Sequence, residues 1–408
     1  MNILYINHYA GSADMGMEFR PYYLSREWVK MGHKVTVLAG DYSHLRVRNP
    51  QVSRDFQREM IDGIEYVWLK TGEYSGNGVA RAKTMARFVE KLRRYSKAIV
   101  NKWHPDVVIA SSTYPLDTYA AQRIAKLSGA KYIHEVHDMW PATLYEVGGM
   151  SKLHPFVVAM QIAENSAYKH CDKCVALLPY SKKYMMKHGL APEKFINIQN
   201  GVSEDEWTDF EKIPDEHREF FEKNKGKFVV GYFGGHALSN ALDWSLDVAK
   251  DFQNKEGYSD VIFVFVGEGV EKERLMERAK EEKIDNAFFL PSVNKKMIPD
   301  LLTYFDCSYM TGMNSPLYRY GLCLNKMYDS MMAGLPIVCA YDAPDTLVKR
   351  FNCGYQCDPA DKDEVVKAIS NIVDMKKEER RIMGEKGKKA VKKYFTYNKI
   401  AEKFEKCF

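Results

Sequence analysis

No stretch of the 408-residue chain approaches the roughly 18–20 consecutive apolar residues that a membrane-spanning helix requires, so none is expected. The opening MNILYINHYAGS has no basic leader and reads as a strand running into a loop, which argues against a secretory signal. The eight cysteines lack the pattern of a disulfide framework or a zinc site. Cys171 and Cys174 are separated by two residues, Cys353 and Cys357 by three, and no nearby His completes a metal motif. Free thiols in a reducing cytoplasm are the expectation. Charge of one sign is also lacking: a net +5 is too mild to indicate nucleic acid as a partner. Short internal repeats and low-complexity tracts are absent.

What is present is ordinary for globular chains, 46% hydrophobic and 28% charged, at a length that suits two domains. Ile3–Ile6, a glycine-containing loop (Gly11, Gly16), a helical segment from Glu18 to Met31 and Val35–Leu38 form a strand–loop–helix–strand unit. That order implies a parallel sheet. Val107–Ala110, Tyr132–Val136 and Cys174–Leu178 continue it, with Ala120–Leu127 helical. The charged segment Ser203–Lys227 has almost no strand signal and suits an interdomain connection. Alternation then restarts with Phe228–Phe233, a helix around Asp243–Phe252, Val261–Val266, Phe288–Leu290, Cys307–Met310 and Ile337–Ala340. The expected architecture is α/β: two Rossmann-like parallel-sheet domains facing a central cleft. The first covers 1–200 with a returning C-terminal helix at about 393–408, and the second covers 201–392. Ligands in such sheets bind beyond the carboxyl ends of the strands, here the loops at Gly16, Gly235 and Gly267-Glu268-Gly269.

Arg81, Lys83, Arg87, Lys91, Arg93, Arg94, Lys97 and Lys102 share a segment with Met85, Phe88, Leu92, Tyr95 and Ile99 at helical spacing. This basic amphipathic helix either rests on an anionic membrane face or presents a solvated face.

The most informative segment is SPLYRYGLCLNKMYDSMMAGLPIVCA, Ser315–Ala340. Its central helix opens at Asn325 and Lys326 and is stopped by Gly334-Leu335-Pro336. Unpaired N–H groups and the dipole at a helix start favour an anion, and Lys326 adds positive charge for a phosphate. Asp329, three residues on, lies on roughly the same face and can accept the hydroxyls of a ribose. The plainer alternative is a Lys326–Asp329 surface pair.

DSMMAGLPIV resembles the Glu-Ala-Met-Ala-x-Gly-x-Pro-Val helix of glycosyltransferase family 4, retaining enzymes of the GT-B fold, with Asp329 where that family has Glu. The PLYRYG…NK variant is similar to members that build bacterial surface polysaccharides and O-antigens, including fucosamine transferases. GMEFRPYYLSREWVKMGHKVTVL, EVHDMWP, IQNGV, FVGEGVEKERL and FFLPSVNKKMIPDLL resemble further family segments in the right order, over nearly the whole chain. One position departs. The family often has a second acidic residue eight positions before the ribose-binding one, and here that position is Gly321. The resemblance therefore implies contacts to the donor sugar from Arg319, Tyr320 or the backbone, and an N-acetylated or 6-deoxy sugar.

It further implies a metal-independent transferase with no cofactor, moving a sugar from UDP to a lipid-linked or polysaccharide acceptor in the cytoplasm or at its membrane face. Donor contacts would come from Gly16, Gly235, Glu268, Val293, Arg319, Tyr320, Gly321, Asn325, Lys326 and Asp329. His137, Asp138 and Lys326 would be catalytic, with Arg20 and Trp140 on the acceptor side, while His134 would be buried packing. Asp361-Lys362-Asp363 has the form of a metal motif but suits a helix cap. A nucleotide-sugar epimerase and a non-catalytic nucleotide- or lipid-binding partner are the alternative readings.

Overall fold

The computed structural model describes residues 1–16, 19–76 and 78–408. The chain divides into two compact units: Met1–Asn200 with Tyr397–Phe408, and Gly201–Thr396.

The first unit holds β1 (Asn2–Ile6), β2 (Lys34–Gly40), β3 (Gln57–Ile61), β4 (Ile64–Leu69), β5 (Val107–Ala110), β6 (Lys131–Val136), β7 (Lys173–Ala176) and β8 (Phe195–Asn197). They form one sheet in the order β3-β4-β2-β1-β5-β6-β7-β8. Every pairing is parallel except β3 with β4. Central strands such as Val107–Ala110 are buried at every residue, which is why they read as unbroken apolar runs. The edge hairpin, residues 57–69, stands outside the strands expected from sequence. Its signal was Asp62-Gly63, both at positive φ (49° and 79°), a two-residue turn between strands.

The helix expected from Glu18 to Met31 spans Phe19–Lys30; Glu18 itself lies outside the described residues. Helix Tyr397–Glu405 packs on it. The Trp28 indole donates to Ala401 O at 3.3 Å, Trp28 meets Phe404 edge-on, and Tyr23 stacks on Tyr397. The basic segment is two helices, Val79–Arg94 and Ser96–Trp103, broken at Tyr95. Met85, Phe88, Leu92 and Ile99 are buried, and most of the cations are exposed.

The second unit holds β9 (Phe228–Phe233), β10 (Val261–Val266), β11 (Ala287–Leu290), β12 (Cys307–Thr311), β13 (Ile337–Ala340) and β14 (Gly354–Cys357). All are parallel, in the order β11-β10-β9-β12-β13-β14. The segment expected as an interdomain connection belongs to this unit and forms helices Asp205–Thr208 and Asp215–Lys223. Its charge misled. Ile213 and Phe221 are buried with Val264, Leu301 and Phe305, while Lys212 and the Ile213 amide bind Asp300. Asp361 caps helix Lys362–Asp374, accepting from the Glu364 amide at 3.0 Å. No helix among the described residues is long and apolar enough to cross a membrane.

Helix Pro155–His170 buries one carboxylate, Glu164, which accepts from the Tyr168 and Tyr184 hydroxyls and the Gln161 amide. Burial pushes its pKa up to about 7, the three hydrogen bonds opposing. A raised folded pKa means the folded state holds this proton more tightly than the unfolded chain does. The resulting stability is fully present below the unfolded value, about 4.5, and is lost as pH rises through about 7. In urea titrations across that window, Glu164→Gln should flatten the pH dependence by on the order of 3 kcal/mol. Identical pH slopes for the two proteins would show that the Glu164 carboxyl titrates normally.

Candidate active site

The carboxyl ends of β1, β5 and β6 place Asn7, Ser111 and His137 in one polar cluster around Glu135. Glu135 is fully buried on β6. One of its oxygens accepts from Arg20 Nε at 2.9 Å. The other accepts from the Tyr5 and Ser111 hydroxyls. His137 Nε2 lies 3.2 Å from that second oxygen and 2.9 Å from Ser111 Oγ. Burial by itself would raise the Glu135 pKa, but the Arg20 guanidinium and the His137 and Ser111 hydrogen bonds hold it well below the usual carboxylate range. Glu135 is thus an anion that fixes the imidazole of His137.

Arg20 is buried as well. Beyond Glu135 it donates to Ile198 O, Gln199 O and Asn200 Oδ1, so four of its five N–H donors serve the chain itself. Expected on the acceptor side, it ties the first helix to β6 and to the segment that follows β8. Asp138 is exposed beside His137. Trp140 packs against Phe156 at 6.5 Å and lines an apolar cavity. His134 is buried against Tyr168, and burial draws its pKa down to about 4. Gly16 has φ 71°, and an added Cβ would lie 2.7 Å from Val47 Cγ2, so this loop turns only with glycine.

In the second unit, helix Asn325–Ala333 carries Asn325, Lys326 and Asp329. Asn325 is exposed at the helix start. Lys326 and Asp329 are not a pair. Lys326 Nζ donates to the Tyr232 hydroxyl at 3.2 Å and to Asn240 Oδ1 at 3.3 Å, and sits 4.4 Å from the Tyr232 ring centre. Desolvation by the surrounding protein draws its ammonium down to about 8. Asp329 is 4% exposed, and each of its oxygens accepts from Lys295 Nζ at 2.7 Å. The surface-pair alternative is thereby replaced by two separate arrangements.

The loops after β9 and β10 lie beside Lys326. An added Cβ on Gly234 would sit 3.7 Å from Lys326 Nζ, and one on Gly267 only 1.9 Å from Gly234 O. Glycine at 267 therefore lets the two loops meet. Gly235 is exposed, its carbonyl accepting from Tyr232 and Asn240 at 2.8 Å. Glu268 is exposed and paired with Lys272 at 2.7 Å. Val293 is partly buried against the apolar cluster that includes Leu290 and Ile298. Arg319 folds over the Tyr320 ring at 4.4 Å and donates to its hydroxyl, and Gly321 turns the chain at φ 97°. Glu135, Ser111, Tyr232, Asn240 and Lys295 were not singled out from sequence. Their signals are pairings across 24 to 130 positions, invisible to local spacing. Among the described residues no group of three or more His, Cys, Asp or Glu is placed to share a metal ion.

An eight-stranded sheet, parallel but for its β3–β4 edge, and a six-stranded parallel sheet in succession, each with ligand-type loops at the carboxyl ends of its strands, define a GT-B fold. Residues 15–206 match the model for Glycosyltransferase Family 4, and residues 214–390 match that for Glycosyl transferases group 1. Between them the two models take in most of the chain, which is a glycosyltransferase of GT-B type. No curated protein matches the sequence significantly. Among solved structures, sucrose-phosphate synthase from Thermosynechococcus elongatus is similar at 14% identity and a TM-score of 0.75, over 100% of this chain and 98% of that one. HepE from Anabaena, in complex with UDP and glucose, is similar at 14% identity and 0.65, over 100% and 98%. WaaG, a glycosyltransferase involved in lipopolysaccharide biosynthesis, is similar at 14% identity and 0.66, over 98% of each chain.

Removing the partner of a buried charge typically costs about 3–5 kcal/mol. Arg20→Met should lower the urea stability of the first unit by that amount. The double variant Arg20→Met with Glu135→Leu should recover part of it, since no buried charge is then left alone. A loss under about 1 kcal/mol in the single variant would show that Glu135 is not held as an anion.

Proposed function

We propose that this glycosyltransferase moves a sugar from a UDP-sugar to a lipid-linked or growing-polysaccharide acceptor at the cytoplasmic membrane face, with retention at the anomeric carbon. The observation that carries the donor assignment is the setting of Lys326. A desolvated ammonium, braced by Tyr232 and Asn240, stands at a helix start beside two glycine-bearing loops. Backbone N–H groups, helix dipole and ammonium together suit a diphosphate, and they strengthen as charge develops on the leaving group.

Asp329 takes the ribose hydroxyls, with Lys295 holding its carboxylate in place. The loop 291–293 contacts the base. The acceptor hydroxyl attacks the anomeric carbon on the face the phosphate leaves. The carbon–phosphate-oxygen bond breaks, and the acceptor proton passes to the departing phosphate. His137, held by Glu135 and Ser111, orients the reacting sugar. No protein nucleophile and no metal are invoked, because Lys326 and backbone amides supply the positive charge. Arg319 and Tyr320 stand in for the carboxylate replaced by Gly321, which favours an N-acetylated or 6-deoxy sugar. The exposed cations of Val79–Arg94 suit contact with an anionic membrane.

A thermal-shift panel with UDP, GDP, ADP and NAD tests the donor class. A ligand at 100 times its dissociation constant stabilises by about 2.7 kcal/mol, or roughly 5–10 °C for a unit near 200 residues. The expected result is a UDP-selective shift that Asp329→Ala abolishes. A shift with NAD alone would overturn the reading, and so would none with any nucleotide.

Lys326→Met should weaken UDP binding about 10- to 100-fold, the worth of a hydrogen bond to a charged group. In the parent protein UDP affinity should fall as pH rises through about 8, where Lys326 loses its proton. Calorimetric titration between pH 6.5 and 9.5 reads both. A parent profile that Lys326→Met does not alter would remove this lysine from the site.

A further inference from the structure

The first unit contains a cavity of about 580 Å3 that the donor chemistry does not use. That volume lies inside the ~300–1,000 Å3 range of small-molecule sites. Its walls come from three places: the start of helix Val79–Arg94, the segment from Trp140 to Met150, and the start of helix Pro155–His170. Met85, Trp140, Leu144, Val147 and Phe156 make it apolar. It is open to the surface, because Val79 and Val147 are 72% and 58% exposed. Large apolar side chains left in water around a concave apolar wall mark a binding surface rather than incomplete packing.

The edge of the cavity is charged. Arg81 lines it, its guanidinium 5.3 Å from the Tyr9 ring centre and donating to the Tyr9 hydroxyl at 3.2 Å. Arg81 is the one lysine or arginine among the described residues that line the cavity. An apolar hollow with a cation at its edge complements an amphiphile with an anionic head. From this rim the chain leads inward. Tyr9 N donates to Asn7 Oδ1, Asn7 Nδ2 to Ser111 O, and Ser111 Oγ lies 2.9 Å from His137 Nε2. Trp140, in the cavity wall, is three residues from His137.

We propose that this cavity holds the hydrocarbon chain of a single lipid-phosphate acceptor, with the anionic head at Arg81 and the sugar-accepting end toward His137. The proposal rests on the lipid-linked branch of the function above. It commits to one lipid molecule drawn into the protein, and not to a bilayer lying against the basic helix.

The test is calorimetric titration of the full chain with hexyl, octyl and decyl phosphate below their micelle concentrations, with inorganic phosphate and phosphatidylglycerol vesicles as separate arms. Burial of a methylene is worth about fourfold in affinity, so each two-carbon step should tighten binding roughly sixteenfold until the hollow is full. Ala82→Trp, which fills the cavity from a surface helix, should flatten that series while leaving UDP binding and the melting temperature unchanged. Val147→Asp, a second variant at an exposed wall position, should weaken decyl phosphate more than hexyl phosphate. Arg81→Gln should weaken all three alike and leave the slope intact. Affinities independent of chain length, a slope that survives Ala82→Trp, or binding to vesicles alone would each overturn the proposal. UDP binding separates the two inferences. An intact chain-length slope without UDP binding overturns the UDP-donor reading and leaves the lipid site standing, and the reverse removes only the cavity.

Discussion

The Arg20–Glu135 pair is the contact on which the first unit's polar interior depends. Both groups are out of water, where an ion pair is not inherently stabilising because desolvation offsets the attraction. What makes this one tolerable is saturation. The carboxylate collects Tyr5, Ser111 and His137 besides the guanidinium, and the guanidinium collects three acceptors from residues 198–200. Segments far apart in sequence, from Tyr5 to Asn200, therefore meet at one fixed charge. His137 inherits its orientation from that charge.

The second unit solves a different electrostatic problem. It presents an ammonium at a helix start with no carboxylate paired to it among the described residues. Asp329 is one turn away yet is occupied by Lys295, while the partners of Lys326 among the described residues are neutral, the Tyr232 hydroxyl and the Asn240 side-chain oxygen. Separating the two charges leaves Lys326 with unspent positive potential, which suits a phosphate. An ion pair between the two residues would have cancelled it.

Much of this architecture could be read from the chain alone, and the reasons are local. Buried parallel strands such as Val261–Val266 and Val107–Ala110 write themselves as unbroken apolar runs, and Gly334 and Gly32 punctuate helices visibly. Lys326, Asp329 and His137 stood out because a helix start and a strand end are local features too. What stayed hidden is pairwise. Nothing near Asp329 announces Lys295, and nothing near His137 announces Ser111. Charge misled once: the acidic stretch after Ser203 read as a connection although Ile213 and Phe221 anchor it. Nothing near Arg20 in sequence announces that Glu135 and residues 198–200 bury it. The edge strands Gln57–Ile61 and Gly354–Cys357 are short or mixed in polarity, so periodicity gives them little weight.

The chain leaves the first unit after Asn200 and returns to it at Tyr397, and Val202 and Thr396 pair side by side where it does so. The second unit is therefore an insertion, complete in sequence, within the first. During synthesis on the ribosome it can fold as soon as its own residues have emerged. The first unit must wait with Tyr23 and Trp28 uncovered until residues 397–405 arrive. The half made first is finished last.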